Sequence, residues 1–113
     1  MARGEIVYNV RAAWLGEAPL FIVEGAFDAL ALWPDGLALL GKPSPPQIEL
    51  LVECSRPVVV VLDGDAWEEG WALAQRIRFR GKRAGSIRLP PCTDPDEVPR
   101  QWLDEEAERC LRT

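Results

Sequence analysis

Residues 58–65 read Val-Val-Val-Val-Leu-Asp-Gly-Asp, and no other segment restricts the possible folds as much. An unbroken β-branched run bounded by turn formers is the pattern of a strand buried on both faces. Charged groups belong at the open end of such a strand, where Asp63 and Asp65 stand one glycine apart. Glycine permits a tight turn, so both carboxylates can aim at one point. Two carboxylates about 4 Å apart repel by roughly 4 kcal/mol at an effective dielectric near 20. A hard divalent cation relieves that repulsion, and Mg²⁺ favours carboxylate oxygen and retained water.

The flanking sequence supplies the layers such a strand needs. Leu20-Phe21-Ile22-Val23 reads as a short buried strand ending in Glu24-Gly25. Residues 26–33 fit a helix carrying Phe27, Leu30, Ala31 and Trp33, stopped by Pro34-Asp35-Gly36. Leu37 to Leu40 reads as a second strand closed by Gly41, and Pro45-Pro46 open a helix carrying Ile48, Leu51 and Val52. After the third strand, residues 58–62, the longest helix spans 66–79, with Trp67, Trp71, Leu73, Ala74 and Ile77 for its inner face. Residues 86–89 form a less apolar strand nearer an edge, and a closing helix runs from Val98 to Leu111. Residues 1–18 are a lead-in, with Ile6, Val7, Tyr8 and Val10 as a short strand, and residues 19–113 make one domain.

The order β-α-β-α-β-α-β-α predicts an α/β fold, with about four parallel strands between helices. Sites in such sheets lie beyond the carboxyl ends of the strands. Glu24 ends the first strand, Asp63 ends the third, and Asp94 follows the fourth. Three acids far apart in sequence therefore converge on one rim.

Composition removes other chemistries. Histidine is absent from the 113 residues, which excludes Ser-His-Asp and Cys-His catalysis and His-ligated metal. The three cysteines, Cys54, Cys92 and Cys110, match no zinc spacing and read as free thiols of a cytoplasmic protein. No apolar run approaches the ~20 residues that span a membrane, and the N-terminus has no signal-peptide pattern. A net charge of −5 does not suit a domain that grips nucleic acid alone. Charge is nonetheless segregated, with Arg76, Arg78, Arg80, Lys82 and Arg83 at one helix end and an acidic C-terminal part.

Val23-Glu24-Gly25-Ala26-Phe27-Asp28-Ala29-Leu30 followed by Leu62-Asp63-Gly64-Asp65, with Gly41 between, resembles the Toprim domain. This Rossmann-like domain is shared by bacterial-type primases, topoisomerases and small nucleases. The Val-Glu-Gly-x-x-Asp-Ala-Leu form and the acidic Thr93-Asp94-Pro95-Asp96-Glu97 loop are most similar to the DNA primase branch. The resemblance implies Glu24 as general base or acid or metal ligand, and Asp63 and Asp65 as ligands of Mg²⁺ or Mn²⁺. It implies Asp28, Asp94 and Asp96 as further members of the metal shell, and nucleotidyl transfer in DNA replication as the reaction. Lys42 is positioned to contact a phosphate, and Arg76, Arg80 and Lys82 to track a nucleic-acid backbone. DNA or an RNA–DNA template and nucleotides are the implied partners, with no membrane.

The chain departs from the primase pattern in two places. Ala66-Trp67-Glu68-Glu69-Gly70 puts bulk and two acids where primases carry a small turn. These residues also contain none of a primase's zinc module, basic subdomain or helicase-contacting tail, so a protein partner or missing domains are expected to supply template binding. A small Toprim nuclease using the same acids, and a non-catalytic metal- and partner-binding module, remain the alternatives. The bland readings are a surface turn for Asp63 and Asp65, a helix-dipole acid for Glu24, and a helix cap for Asp94 and Asp96. Trp33, Trp67, Trp71 and Trp102 fall at helix positions suited to packing, and Trp67 alone is also placed to overhang the site.

Overall fold

The computed structural model describes residues 9–112. Strands β1 (Leu20–Val23), β2 (Gly36–Ala38), β3 (Val58–Val60) and β4 (Ala84–Ser86) alternate with helices α1 (Ala26–Ala31), α2 (Pro45–Glu53), α3 (Trp67–Phe79) and α4 (Arg100–Leu111). All pairings are parallel, in the order β2-β1-β3-β4, which is the α/β architecture expected. From β1 the chain steps outward to β2 and then crosses back over β1 to β3. Crossovers of one hand then require α1 and α2 on opposite faces, and the core divides accordingly.

Alternate residues of the central strands feed the two faces. Leu20, Ile22, Val58 and Val60 pack with Ile48 and Leu51 of α2 and Leu73, Ala74 and Ile77 of α3. Phe21, Val23, Val59 and Val61 pack with Ala29 of α1 and Leu103, Ala107 and Leu111 of α4. Each fully buried valine or leucine contributes about 1.5–3 kcal/mol over its exposed state. Ser44 caps α2: its hydroxyl accepts from the Gln47 amide at 3.4 Å, and the Gln47 side chain accepts from the Ser44 amide at 3.0 Å. Gln47 is itself buried, and its Nε2 donates to the Leu39 carbonyl at 2.9 Å, tying α2 to the end of β2.

Arg56 anchors the opposite, amino-terminal edge of the sheet. It is 1% exposed, and its guanidinium donates to the carbonyls of Ala12, Leu15, Ala18 and Pro19 at 2.6–3.1 Å and to Asp35 at 2.6 Å. Asp35 also accepts from Arg100 of α4 at 2.7 Å. Residues 12–19 are thereby strapped to the sheet by one side chain. Nothing in the sequence around Arg56 marks it for this role.

Several expected element positions shift. Ile6, Val7 and Tyr8 lie outside the described residues, and Val10 opens a 3₁₀ helix, Val10–Trp14, in place of a strand. The second strand stops at Ala38 because Leu40 turns to φ 56° and Gly41 to φ 142°, outside the β region. The fourth strand is Ala84–Ser86, earlier than residues 86–89; Ile87 and Leu89 are buried beyond it. Its small residues let α4 close in, since a Cβ on Gly85 would lie 2.7 Å from the Cys110 sulfur.

The helix faces differ from expectation for the same reason. In α1 and the residue after it, Ala29 and Leu32 face the sheet, while Phe27, Leu30 and Trp33 point outward. A Cβ on Gly36 would meet the Ala29 carbonyl at 2.7 Å, so this helix approaches too closely for a large side chain between. In α3 the buried residues are Gly70, Leu73, Ala74 and Ile77, and Trp71 is turned out.

Candidate metal centre

The carboxyl ends of the strands carry the acids that the sequence pointed to. Glu24 follows β1 directly, and the Leu40 amide donates to its carbonyl at 3.1 Å, holding its backbone to the end of β2. Asp28 stands one helical turn further along α1. Asp63 lies just beyond β3, and the chain then folds into a 3₁₀ turn, Gly64–Ala66, closed by the Ala66 amide on the Asp63 carbonyl at 2.8 Å. Asp65 lies within that turn and is exposed. Asp94 and Asp96 belong to the loop after β4, which makes its own 3₁₀ turn at Pro95–Glu97.

Gly64 locks these segments together. Its amide donates to the Thr93 carbonyl at 2.9 Å, and a Cβ there would lie 2.1 Å from the Pro90 oxygen. Only glycine admits the 90–93 backbone so close to the Asp-Gly-Asp turn. The acidic loop is thereby seated over β3.

The electrostatics show how tightly the acids gather. Partial burial pushes the Asp63 carboxyl up, and Asp94 adds to this by its charge and by a hydrogen bond between the two carboxyls; Asp65 and Asp96 contribute further. Burial likewise raises Glu24, helped by the charges of Asp63 and Glu69. Asp28 is pushed up to about 6, first by burial and then by Asp96, Asp63 and Asp94, against a hydrogen bond with the Asp96 backbone that favours its charge. Every acid named from the sequence therefore couples to Asp63 or to a neighbour of Asp63. Carboxylates gathered in this way form an all-oxygen donor set with surplus negative charge. That is the donor chemistry of a hard divalent cation.

Two members were not picked out as ligands from the sequence. Glu69, in the first turn of α3, acts on Glu24 and shares with it the wall of a cavity of about 300 Å³ that includes Leu39, Lys42, Leu62 and Leu73. Its sequence signal is the Glu68-Glu69 pair, where the chain departs from the primase pattern. Glu97 brings a carboxylate oxygen within 4.8 Å of those of Asp94 and Asp96. It also accepts from the Asp94 amide at 2.8 Å, which shapes the loop.

The basic residues separate into two sets. Lys42 lines the cavity beside Glu24, and with Arg76 and Glu69 it borders an adjoining surface depression. Arg80 instead pairs with Glu49 of α2, and the Lys82 ammonium donates to the Cys54 carbonyl. These two tie the end of α3 to α2. The cavity lies at the ends of β1 and β3, where the order β2-β1-β3-β4 reverses direction, the usual ligand crevice of an open parallel sheet.

No family model matches the chain, and no curated protein matches it in sequence. Solved structures do match. The Aquifex aeolicus primase, comprising zinc-binding and RNA polymerase domains, superposes with a TM-score of 0.73 at 24% identity, over 99% of this chain and 30% of that one. A DnaG primase catalytic domain bound to single-stranded DNA gives 0.68 at 23% identity, over 99% of this chain and 40% of that one. The RNA polymerase domain of Mycobacterium tuberculosis primase DnaG gives 0.61 at 15% identity, covering 99% and 42%. The primase-type resemblance read from the sequence is thus met in the fold. The chain spans less than half the length of each of these primase chains.

Proposed function

We propose that this chain is a primase-type Toprim domain that performs metal-dependent phosphoryl or nucleotidyl transfer on nucleic acid in DNA replication. One observation carries the reading: Glu24, Asp28, Asp63, Asp65, Asp94 and Asp96 come from three strand ends to one rim, in a fold shared with primase catalytic domains. Asp63 and Asp65, with Asp94, Asp96 and Asp28 around them, would hold Mg²⁺ or Mn²⁺. Bound there, the ion supplies positive charge to the phosphate oxygens of the reacting group.

The protein's own groups divide the remaining work. Glu24, its carboxyl raised by burial and by Asp63 and Glu69, is suited to take the proton of an attacking hydroxyl or return one to a leaving group. Lys42 stands on the same cavity wall and neutralises a phosphate oxygen that enters beside Glu24, and Arg76 extends the cationic border outward. The Gly64–Thr93 hydrogen bond keeps the acidic loop aligned with the Asp-Gly-Asp turn.

Because the chain spans only 30–42% of the primase chains it resembles, template binding by further domains or a partner protein is part of this reading. The deciding experiment is calorimetric titration of Mn²⁺ into wild type and the Asp63→Asn/Asp65→Asn double variant. Saturable binding confined to wild type is expected. Equal heats in both proteins would remove the metal centre. Incorporation of labelled nucleotides on a single-stranded template then separates primer synthesis from hydrolysis, which would instead shorten a labelled oligonucleotide.

A further inference from the structure

The candidate metal centre leaves an aromatic ridge unexplained. Trp67, Trp71 and Arg78 are spaced i, i+4 and i+11 on α3, so they share one stripe of the helix. The sheet-facing residues Gly70, Leu73, Ala74 and Ile77 lie to one side of it. Trp71 is 55% exposed, and together with Trp67, Glu68 and Ala72 it walls an open surface groove. The two indoles are about 6 Å apart along the helix axis. Arg88, just beyond β4, places its guanidinium carbon 4.0 Å from the centre of the Trp67 ring. Arg88 and Arg109 in turn border a depression at the open edge of β4.

From this arrangement we infer that Trp71 and Trp67 form a stacking platform for single-stranded nucleic acid, with Arg88 and Arg78 meeting its phosphates. The choice of ligand rests on the nucleic-acid reading of the acidic rim. Charge decides against an apolar protein partner. In a chain of net charge −5, the β4 side of this ridge carries Arg78, Arg88 and Arg109. Glu68 lines the same groove, and Glu106 pairs with Arg109 at 2.7 Å. Cations beside exposed aromatic rings match a ligand with π-faces and a polyanionic backbone.

Position supports the same assignment. Trp67 is two residues beyond Asp65, so a strand lying on the ridge leads to the acidic rim. Arg88 covers one side of the Trp67 ring, leaving Trp71 as the more open face. Bases paired in a duplex cannot offer their faces to these rings, so single strands are preferred.

The test is fluorescence anisotropy of a labelled oligothymidylate at low salt in EDTA, where no metal contributes. Saturable binding by wild type is expected, weaker for a duplex of equal length. Trp71→Ala and Trp71→Leu should each weaken it by roughly 5- to 100-fold, the usual loss of one base–aromatic stack. Trp71→Phe should retain most of it. Arg88→Gln should lower affinity and reduce the slope against log salt by about 1. Asp63→Asn/Asp65→Asn should bind at least as well as wild type. Absence of Mn²⁺ binding by wild type, with Trp71-dependent oligonucleotide binding retained, would therefore overturn the metal centre and uphold the platform. Unchanged affinity in folded Trp71→Ala and Trp71→Leu, or no binding by wild type, overturns the platform whatever the metal does.

Discussion

The amide of Gly64 donates to the carbonyl of Thr93 at 2.9 Å, joining the turn between two aspartates to a loop 29 residues further along the chain. Neither segment would present its acids to the other without that contact. The glycine is required by space, because a Cβ at this position would overlap the Pro90 oxygen at 2.1 Å. Gly64→Ala should therefore push the 90–94 loop off β3 and destabilise the protein by about 1–3 kcal/mol, in the range of overpacked sites. Urea denaturation measures the loss. Metal affinity should fall with it, since Asp94 would no longer reach Asp63.

The acidic rim sets a pH dependence with a definite sign. Asp28 has an ordinary value of 3.8 and titrates near 6 in the fold, so the folded state holds this proton more tightly than the unfolded chain. Stability from this group is fully present below about pH 4 and is lost as pH rises through about 6. Glu24 and Asp63 are raised as well and act in the same direction. Asp35 acts oppositely. Burial would raise it, but hydrogen bonds from Arg100 and Arg56 outweigh burial and hold it low, so its contribution is lost only in stronger acid. In EDTA the melting temperature should thus increase from pH 7 to pH 5, and Asp28→Asn should flatten that increase.

Neutralising the rim should have two opposed effects. Asp63→Asn removes a charge repelled by Asp94, Asp65 and Asp96, so the metal-free melting temperature should rise. For a domain of this size the rise is about 4 °C or more for each kcal/mol of repulsion removed. The same substitution should abolish the stabilisation that Mn²⁺ or Mg²⁺ confers by binding only the folded state. Differential scanning calorimetry with and without the ion checks both. An equal response to the ion in wild type and variant would count against the site.

At the other edge of the sheet, Arg56→Met should be severely destabilising. It removes the donors of the Ala12, Leu15, Ala18 and Pro19 carbonyls and leaves Asp35 with Arg100 alone. Breaking a buried pair of this kind costs about 3–5 kcal/mol. Asp35→Ala should also destabilise, because it leaves a guanidinium that is 1% exposed with its carbonyl partners but without its counter-charge. Chemical denaturation of the two variants and the double variant measures their coupling.

The outer face of α1 gives a contrasting pair. Phe27 is 84% exposed, so Phe27→Ser should change stability by less than about 0.5 kcal/mol. Ala29→Leu, on the buried face, should cost about 1–3 kcal/mol, because the helix already touches Gly36. Thermal melts of both variants distinguish this packing from a helix turned with Phe27 inward.

The alternation of strands and helices, the parallel strand direction and the acids at the strand ends were legible in the chain. Val58–Leu62 and Leu20–Val23 are continuous apolar runs that only a sheet covered on both sides can bury, and their ends carry Glu24, Asp63 and Asp65. Single-handed crossovers then place those ends on one rim. What the chain did not disclose was how near the helices come. Gly36 and Gly85 let α1 and α4 approach the sheet through small side chains, and Phe27, Trp33 and Trp71 are turned outward despite their size. Apolar periodicity ranks residues by hydrophobicity, whereas a close contact selects them by volume, and that volume exists only once sheet and helix are both in place. Arg56 and Glu69 belong to the same class. Each acquires its role from groups far away in sequence, Arg56 from four carbonyls and Asp35, and Glu69 from Glu24 across the cavity. The sequence determined the layers and the acids at their ends; the tertiary structure decided which side chains the layers enclose.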